Sequence, residues 1–396
     1  MKLMSVVAAR QAMLATITPL ASEVVLLDDA LGRVLAQDVV AVRDQPPFTN
    51  SAMDGWAVVS GSTPGTLAIV GESAAGRGYG ATLSAGEAVR IFTGAALPDG
   101  ADSVVIQEDA TRSDNGVTVP AARSGDNVRQ AGRDFRSGDI LVAAGARLDP
   151  WRISLCASAG QATVRVVRRP RVVVLSTGEE IVEAPNLPGP FQIYDSGSAA
   201  LVAMITTWGG EATKISGISD TLQAVTAAIA EATADLVVTL GGASVGDYDL
   251  VRAAGQALGL VYQVESVAVR PGKPTFFGVL GDGRAMLGLP GNPASAFVCA
   301  ELFLKSLLLA YQGREATPTL LAAQTLAVLP ANGPREHWMR ARLAESDGLR
   351  QVRAYGDQDS SLVSVFAAAD ALVCRPPGAL AAGVGDLVQV LVLDRL

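Results

Sequence analysis

The sequence predicts a multidomain α/β protein. Its centre is a doubly wound α/β domain, preceded by a β-rich lobe inserted into a helical segment and followed by a small C-terminal β domain. Three observations predict this. Between residues 171 and 311, strands that are apolar throughout (RVVVLST, DLVVTLGG) alternate with helical stretches, the pattern of a parallel sheet covered on both faces. Between residues 46 and 150, short β-type runs are broken by Gly, Pro, Ser and Asp clusters, the pattern of a separate β lobe. Finally, 396 residues, 49% hydrophobic and only 18% charged, supply several cores, and about 150 residues per domain gives two to four domains.

Taken in order, residues 3 to 19 read as a helix with Val6, Met13, Leu14 and Ile17 on one side. The lobe follows with WAVVS, TLAIV, AVRIFTG and SVVIQED. WRISLCASAG (151 to 160) returns to a helical pattern, so the lobe is an excursion from the first domain. The basic run RVVRRPR (165 to 171) reads as an inter-domain connection. RVVVLST, SGSAALVAMITTWGG, TLQAVTAAIAEAT with Asp220 or Thr221 as cap, DLVVTLGG, DLVRAAGQAL and the long helix PASAFVCAELFLKSLLLAYQG then build the α/β domain. After about residue 318, TLAVL, HWMRARL and LVQVLVL suggest β structure. The expected boundaries are 1–45 with 146–170 for the helical part, 46–145 for the lobe, 171–317 for the α/β domain and 318–396 for the last.

Composition removes several function classes. Thirty-one Lys and Arg against 39 Asp and Glu give a net charge of −8, which argues against nucleic acid or an anionic membrane as partner. Any anionic ligand must be held locally. Three separated cysteines, Cys156, Cys299 and Cys374, offer neither a disulfide framework nor a zinc site. The single histidine, His337, excludes most metalloprotease, Ser-His and Cys-His mechanisms; it reads as a surface or packed residue. Arg10 interrupts the apolar N-terminus, which reads as an amphipathic helix rather than a signal peptide. The apolar run 293 to 311 carries Glu301 and Lys305 and opens on Pro293, which argues against a membrane span. A cytoplasmic protein is expected.

Four segments carry the chemistry. In PPFTNSAMDGWAV (46 to 58) the carboxylate of Asp54 either aims at a ligand or metal from a turn, or merely satisfies local amides. In GGASVGDYD (241 to 249), Gly241, Gly242, Ser244 and Gly246 let backbone amides approach an anion. Asp247 and Asp249 follow as hard oxygen ligands suited to Mg²⁺. RPGKP (270 to 274) places Lys273 on a stiffened loop, suited to a phosphate or oxyanion. GLPGNPAS (288 to 295) is a rigid turn into a long helix whose N-terminus favours anions. STGEE (176 to 180) and GGASVGDYD stand at the carboxyl ends of strands, where open α/β sheets bind ligands. Thr93, Arg129, Arg133 and Asp134 lie in the lobe, where each taken singly reads as a solvated group.

These segments, with IFTGAALPDGADSVV, VRQAGRDF and IYDS, occur in an order that resembles the molybdopterin molybdenumtransferase family of molybdenum cofactor biosynthesis, which includes the C-terminal domain of gephyrin. The resemblance spans roughly residues 5 to 395. It implies four domains: a helical segment, an inserted elongated β lobe, a molybdopterin-binding α/β domain and a C-terminal β barrel. It also implies a homodimer whose active site uses both subunits. The implied reaction takes adenylylated molybdopterin and molybdate to molybdenum cofactor, AMP and water, with Mg²⁺. On that resemblance, Asp54, Asp134, Glu180 and Asp249 carry catalysis. Thr93, Ser244, Asp247, Arg270, Lys273, Pro290 and Pro293 bind substrate, and Asp249, Asp235 and Glu180 hold the metal. Asp54 and Asp134 are expected to complete a partner subunit's site. Three positions depart from the family pattern: Trp56 stands where Tyr is frequent, Arg270 where Lys is common, and Gly197 where Asn is usual, which removes a polar contact to substrate. The competing readings are a gephyrin-like dimeric scaffold and the sister adenylyltransferase; the retained carboxylates argue against the first, and the lobe and C-terminal domain against the second.

Overall fold

The computed structural model describes residues 3–241, 250–346 and 348–394. By its internal contacts the chain forms two compact units, Met1–Glu23 with Val167–Leu396, and Val24–Val166. The second unit therefore interrupts the first in sequence, as an insertion.

The first unit is built on a six-stranded sheet in the order Glu211–Ile218, Arg171–Thr177, Leu236–Leu240, Ala285–Leu289, Phe276–Val279, Val261–Val264. The first four strands run parallel. The last two are antiparallel, so the sheet is mixed at one edge where a purely parallel one was expected. A tight turn through Gly281 and Gly283 folds Phe276–Val279 directly back onto Ala285–Leu289, leaving no room for the crossover that a parallel pair needs. Helices cover both faces. Gly197–Thr207 and the long helix Pro293–Tyr311 pack on one side with Val172, Val174, Leu236 and Val238. Leu222–Glu231 and Leu250–Ala257 pack on the other with Val173, Leu175 and Val237. Alternate residues of each strand thus feed opposite cores, which is why those strands are apolar throughout.

Among the described residues, Pro293–Tyr311 is the one helix long and apolar enough to cross a membrane, and 83% of its apolar window is buried inside the protein. Its middle turn, Ala300–Leu304, is a π-helix.

The first helix is shorter than expected. It runs Val6–Leu14, with Ser5 accepting from the amide of Ala8. It ends there because β-branched Thr16, Ile17 and Thr18 and then Pro19 disfavour continuation. Val6, Ala9 and Met13 are buried with Phe303 and Leu307, so this helix packs in the α/β unit. Thr221, not Asp220, caps Leu222–Glu231, accepting from the amide of Ala224.

Residues 321 to 392 form a closed β barrel. Its strands follow the order Glu336–Ser346, Leu349–Ala354, Leu321–Thr325, Leu387–Val392, Ala371–Arg375, and the last pairs back with the first. Leu321–Thr325 lies slightly before the TLAVL run that suggested it.

The inserted unit has a six-stranded sheet in the order Ser103–Ile106, Gly55–Val58, Glu87–Ile91, Gly65–Ser73, Gly116–Val119, Thr111–Ser113. Separate cores form on its two faces around Trp56 and Leu67 and around Val89 and Val104. A further core joins Leu27, Leu35 and Val39 to Leu148, Cys156 and Val166, tying the entering and returning stretches of chain together around helix Pro150–Ser158.

Candidate active site

Four parallel strands of the α/β sheet end on one side of the first unit, and residues at all four ends line one cavity of about 890 Å³. Arg171–Thr177 delivers Ser176, Thr177, Gly178 and then Glu180. Leu236–Leu240 delivers Leu240 and Gly241. Ala285–Leu289 delivers Pro290, Gly291, Asn292 and Pro293. Glu211–Ile218 is followed by Asp220. Asp195 joins the lining from the IYDS segment; its two oxygens accept from the amide and hydroxyl of Ser198 and hold the first turn of helix Gly197–Thr207. Asp220 accepts from the amide of Glu179 at 3.3 Å, linking two strand ends. A Cβ on Gly197 would fall within 3.0 Å of the Leu240 side chain. The glycine therefore reflects a close approach as well as a lost polar group.

Beside it lies a second cavity of about 810 Å³, and Pro274 lines both. Its charged lining is mainly cationic: Arg270 and Lys273 from RPGKP, and Arg335 and Arg375 from the barrel, with Asp357 and Asp359 opposing them. The partition between the cavities is held from several sides. Thr275 donates to the Gly272 carbonyl at 2.8 Å and contacts Cys299 Sγ at 3.1 Å beneath the loop. Gly272 has φ +117°, and a Cβ there would lie within 3.0 Å of Cys299 Sγ. Burial pushes the Cys299 thiol up to about 12, so it is a neutral packing group here. Asn292 donates to Ser360 Oγ at 2.9 Å, and the amide of Ala294 donates to the Ser360 carbonyl at 3.1 Å. Fully buried Arg340 fixes the same segment, donating to Gln358 Oε1 and to the Asp359 carbonyl.

Three family descriptions match successive parts of this chain: "MoeA N-terminal region (domain I and II)" over residues 4–160, "Probable molybdopterin binding domain" over 173–310, and "MoeA C-terminal region (domain IV)" over 322–393. A molybdopterin molybdenumtransferase of Nostoc sp. is 35% identical over 387 residues, covering 94% of this chain and 89% of its own. The chain belongs to the molybdopterin molybdenumtransferase family. The corresponding protein of Bacillus subtilis is 32% identical, covering 94% of this chain and 90% of its own. The crystal structure of a molybdopterin biosynthesis MoeA protein from Pyrococcus horikosii superposes with a TM-score of 0.87 at 31% identity, covering all of both chains.

The residues expected to act together in this family are distributed as follows. Glu180, Pro290 and Pro293 line the first cavity, and Arg270 and Lys273 the second. Ser244, Asp247 and Asp249 lie outside the described residues. Asp54, Thr93 and Asp134 lie in the inserted unit. There, one Asp54 oxygen accepts from both the amide and the hydroxyl of Thr93, at 2.7 and 2.8 Å. The Thr93 backbone and side-chain hydrogen bonds, helped by Arg90, hold the Asp54 carboxyl below its ordinary range. Arg90 stacks between Trp56 and Phe92 and donates to the Gly55 carbonyl, bracing the turn. Asp134 is exposed, with its amide bonded to the Gln45 carbonyl.

Asp235 is corrected as a metal ligand. It stands at the amino end of Leu236–Leu240, roughly 20 Å of extended chain from Gly241. Its two oxygens take both Arg168 Nη atoms at 2.7 Å, and the Arg171 amide adds a third bond. Burial alone raises its carboxyl, but these contacts outweigh burial and hold it below the ordinary range. Asp235 closes the bottom of the sheet.

Asp195 and Asp220 were missed as wall residues, and so were Arg335, His337 and Arg375. Asp220 was within reach of the strand-end rule, since it directly follows the fourth parallel strand. The barrel residues had no local signal, because cross-strand register brings them together.

Proposed function

We propose that this chain transfers molybdenum from molybdate to adenylylated molybdopterin, releasing AMP and water. The observation that carries this reading is the pair of adjoining cavities that share Pro274. One opens at strand ends and is large enough for an extended ligand; the other is rich in Arg and Lys and suits an oxyanion. The rigid GLPGNP turn, which lines the cavity where helix Pro293–Tyr311 begins, favours the pyrophosphate. Arg270 and Lys273 hold molybdate on the far side of the partition, close to where the pterin sulfurs receive it.

The reading includes Mg²⁺. Among the described residues no group of three His, Cys, Asp or Glu is preassembled around one point. The acidic groups lining the first cavity, Glu180, Asp195 and Asp220, are nevertheless all carboxylates, a hard-oxygen set that fits this cation. Glu180 and Asp220 would hold it together with Asp249. When bound, Mg²⁺ neutralises pyrophosphate charge and eases departure of AMP. Asp195 is committed to Ser198 and positions the helix.

The same reading makes the protein a cytoplasmic homodimer, in which Asp54 and Asp134 complete the partner's site. It keeps the division into 1–45 with 146–170, 46–145, 171–317 and 318–396, with the first helix packed against the α/β part.

The test is molybdate-dependent AMP release from adenylylated molybdopterin with Mg²⁺. No release overturns the proposal, and ATP consumption with free molybdopterin reassigns the chain as an adenylyltransferase. Glu180→Gln should raise the Mg²⁺ concentration needed for half-maximal rate. Mixing inactive Asp54→Ala and Glu180→Ala subunits should restore activity if the site is shared. Mixtures that stay inactive after subunit exchange refute the shared site.

A further inference from the structure

The cationic cavity contains the chain's single histidine in an unusual setting. His337 pairs in register with Arg270 on one side and Arg375 on the other. Register partners project on the same face of a sheet, so Arg270, His337 and Arg375 form a row across three strands, and all three line the cavity. Arg335, two residues before His337, lines it as well, and Lys273 faces the row from the RPGKP loop. Arg375 is only 6% exposed. Its Nη2 donates to the carbonyls of Pro330 and Leu380, while its Nε has no partner among the described residues. The four cations that line this cavity, Arg270, Lys273, Arg335 and Arg375, outnumber its two carboxylates and favour an anion.

Asp357 and Asp359 also line the cavity, fewer than its cations, and each has one oxygen engaged locally. Asp359 accepts from the amide and hydroxyl of Ser361, Asp357 accepts from the amide of Asp359, and Glu336 accepts from the indole of Trp338. Burial first, and then Arg270, Arg340, Arg335 and Arg375, push the His337 imidazole down to about 4. Without an anion the ring is neutral at physiological pH.

We propose that His337 takes up a proton when a tetrahedral dianionic oxyanion enters this cavity, so that anion and proton bind together. The inference rests on assigning the cavity to molybdate. The arginines that keep the imidazole neutral are the groups that attract the anion, and once a dianion stands among them the local field reverses. An opposite charge within about 4–6 Å raises such a group by about 1–3 units, and a dianion favours the upper part of that range. Beside the bound dianion the imidazole then titrates well above its anion-free value of about 4. By linkage, molybdate binds about two- to tenfold more tightly at about pH 6 than at about pH 8. His337 is thus a positioning residue that matches the oxyanion's charge only while the oxyanion is present.

With one histidine in the chain, the untagged, histidine-labelled protein gives a single imidazole Cε1–H resonance. Its NMR titration with and without sodium molybdate reads the proposal directly. The expected result is a rise of about 2–3 units in its midpoint on saturation; an unmoved midpoint overturns the inference. Calorimetric titration of molybdate in two buffers of different ionisation heat should show proton uptake in the wild type at about pH 6 and none in His337→Gln, whose affinity should be flat with pH. Equal uptake in the variant overturns the inference while leaving the oxyanion site standing. Absence of saturable molybdate binding to the wild type, or binding indifferent to Arg270→Ala and Lys273→Ala, removes the oxyanion site itself and the inference with it.

Discussion

Replacing Gly272 by alanine tests how the partition between the cavities is held. Two costs combine at this position. At φ +117° an L side chain is strained by about 1–3 kcal/mol. The new methyl would also fall within 3.0 Å of Cys299 Sγ, and forcing an atom into a filled interior costs about 1–3 kcal/mol. The sum, about 2–6 kcal/mol, should appear as a fall in the urea midpoint. Because Lys273 is the next residue, molybdate-dependent AMP release should fall with it. Cys299→Ala removes the sulfur that the methyl meets, at a cost of about 1–2 kcal/mol for the lost Thr275 contact and the small void. In the double variant the steric cost disappears and the backbone cost stays, so the two substitutions should couple favourably by about 1–3 kcal/mol. Gly272→Ala within about 0.5 kcal/mol of wild type, or strict additivity with Cys299→Ala, would refute the reasoning.

Three further outcomes are expected. Asp235→Ala should destabilise by about 2–3 kcal/mol by leaving Arg168 partly buried and unpaired, with little change in KM for either substrate. Since the Asp235 carboxyl is depressed in the folded protein, its contribution is present above about pH 4 and is lost as pH falls below that; melting curves of wild type and variant should therefore converge in acid. Glu301, buried beside Lys305, is pushed up to about 7, first by burial. A raised carboxyl contributes stability that is lost as pH climbs from about 4.5 to about 7. Glu301→Gln should flatten the melting temperature across that window, and an unchanged slope would assign it to other groups. Asp54→Asn should abolish AMP release with the fold intact by circular dichroism, whereas Thr93→Val, which keeps the amide bond to Asp54 and loses the hydroxyl bond, should reduce it only about tenfold.

Several features of the site could be read locally. RVVVLST and DLVVTL are apolar throughout because each feeds two cores, and that places STGEE and Gly241 at strand ends where ligands bind. Asp235 misled because a carboxylate beside a buried strand looks the same at either end. Only the direction of the chain through the sheet, and the facing guanidinium of Arg168, separate ligand from lock. His337 read as either a surface or a packed residue, and its burial decides for the second; its charged surroundings come from residues 67 positions earlier and 38 positions later, Arg270 and Arg375.

The sequence by itself determined the order of layers, the inserted lobe, the C-terminal β domain and a glycine- and proline-rich set of loops fit for anions, because hydrophobic period and turn chemistry are local properties of the chain. Tertiary structure decided which of those groups share a cavity. It set Asp235 against Arg168, closed the barrel from Glu336–Ser346 to Ala371–Arg375, and placed His337 between two arginines. Strand register and packing fix these distances, and they depend on all the cores at once rather than on any one segment.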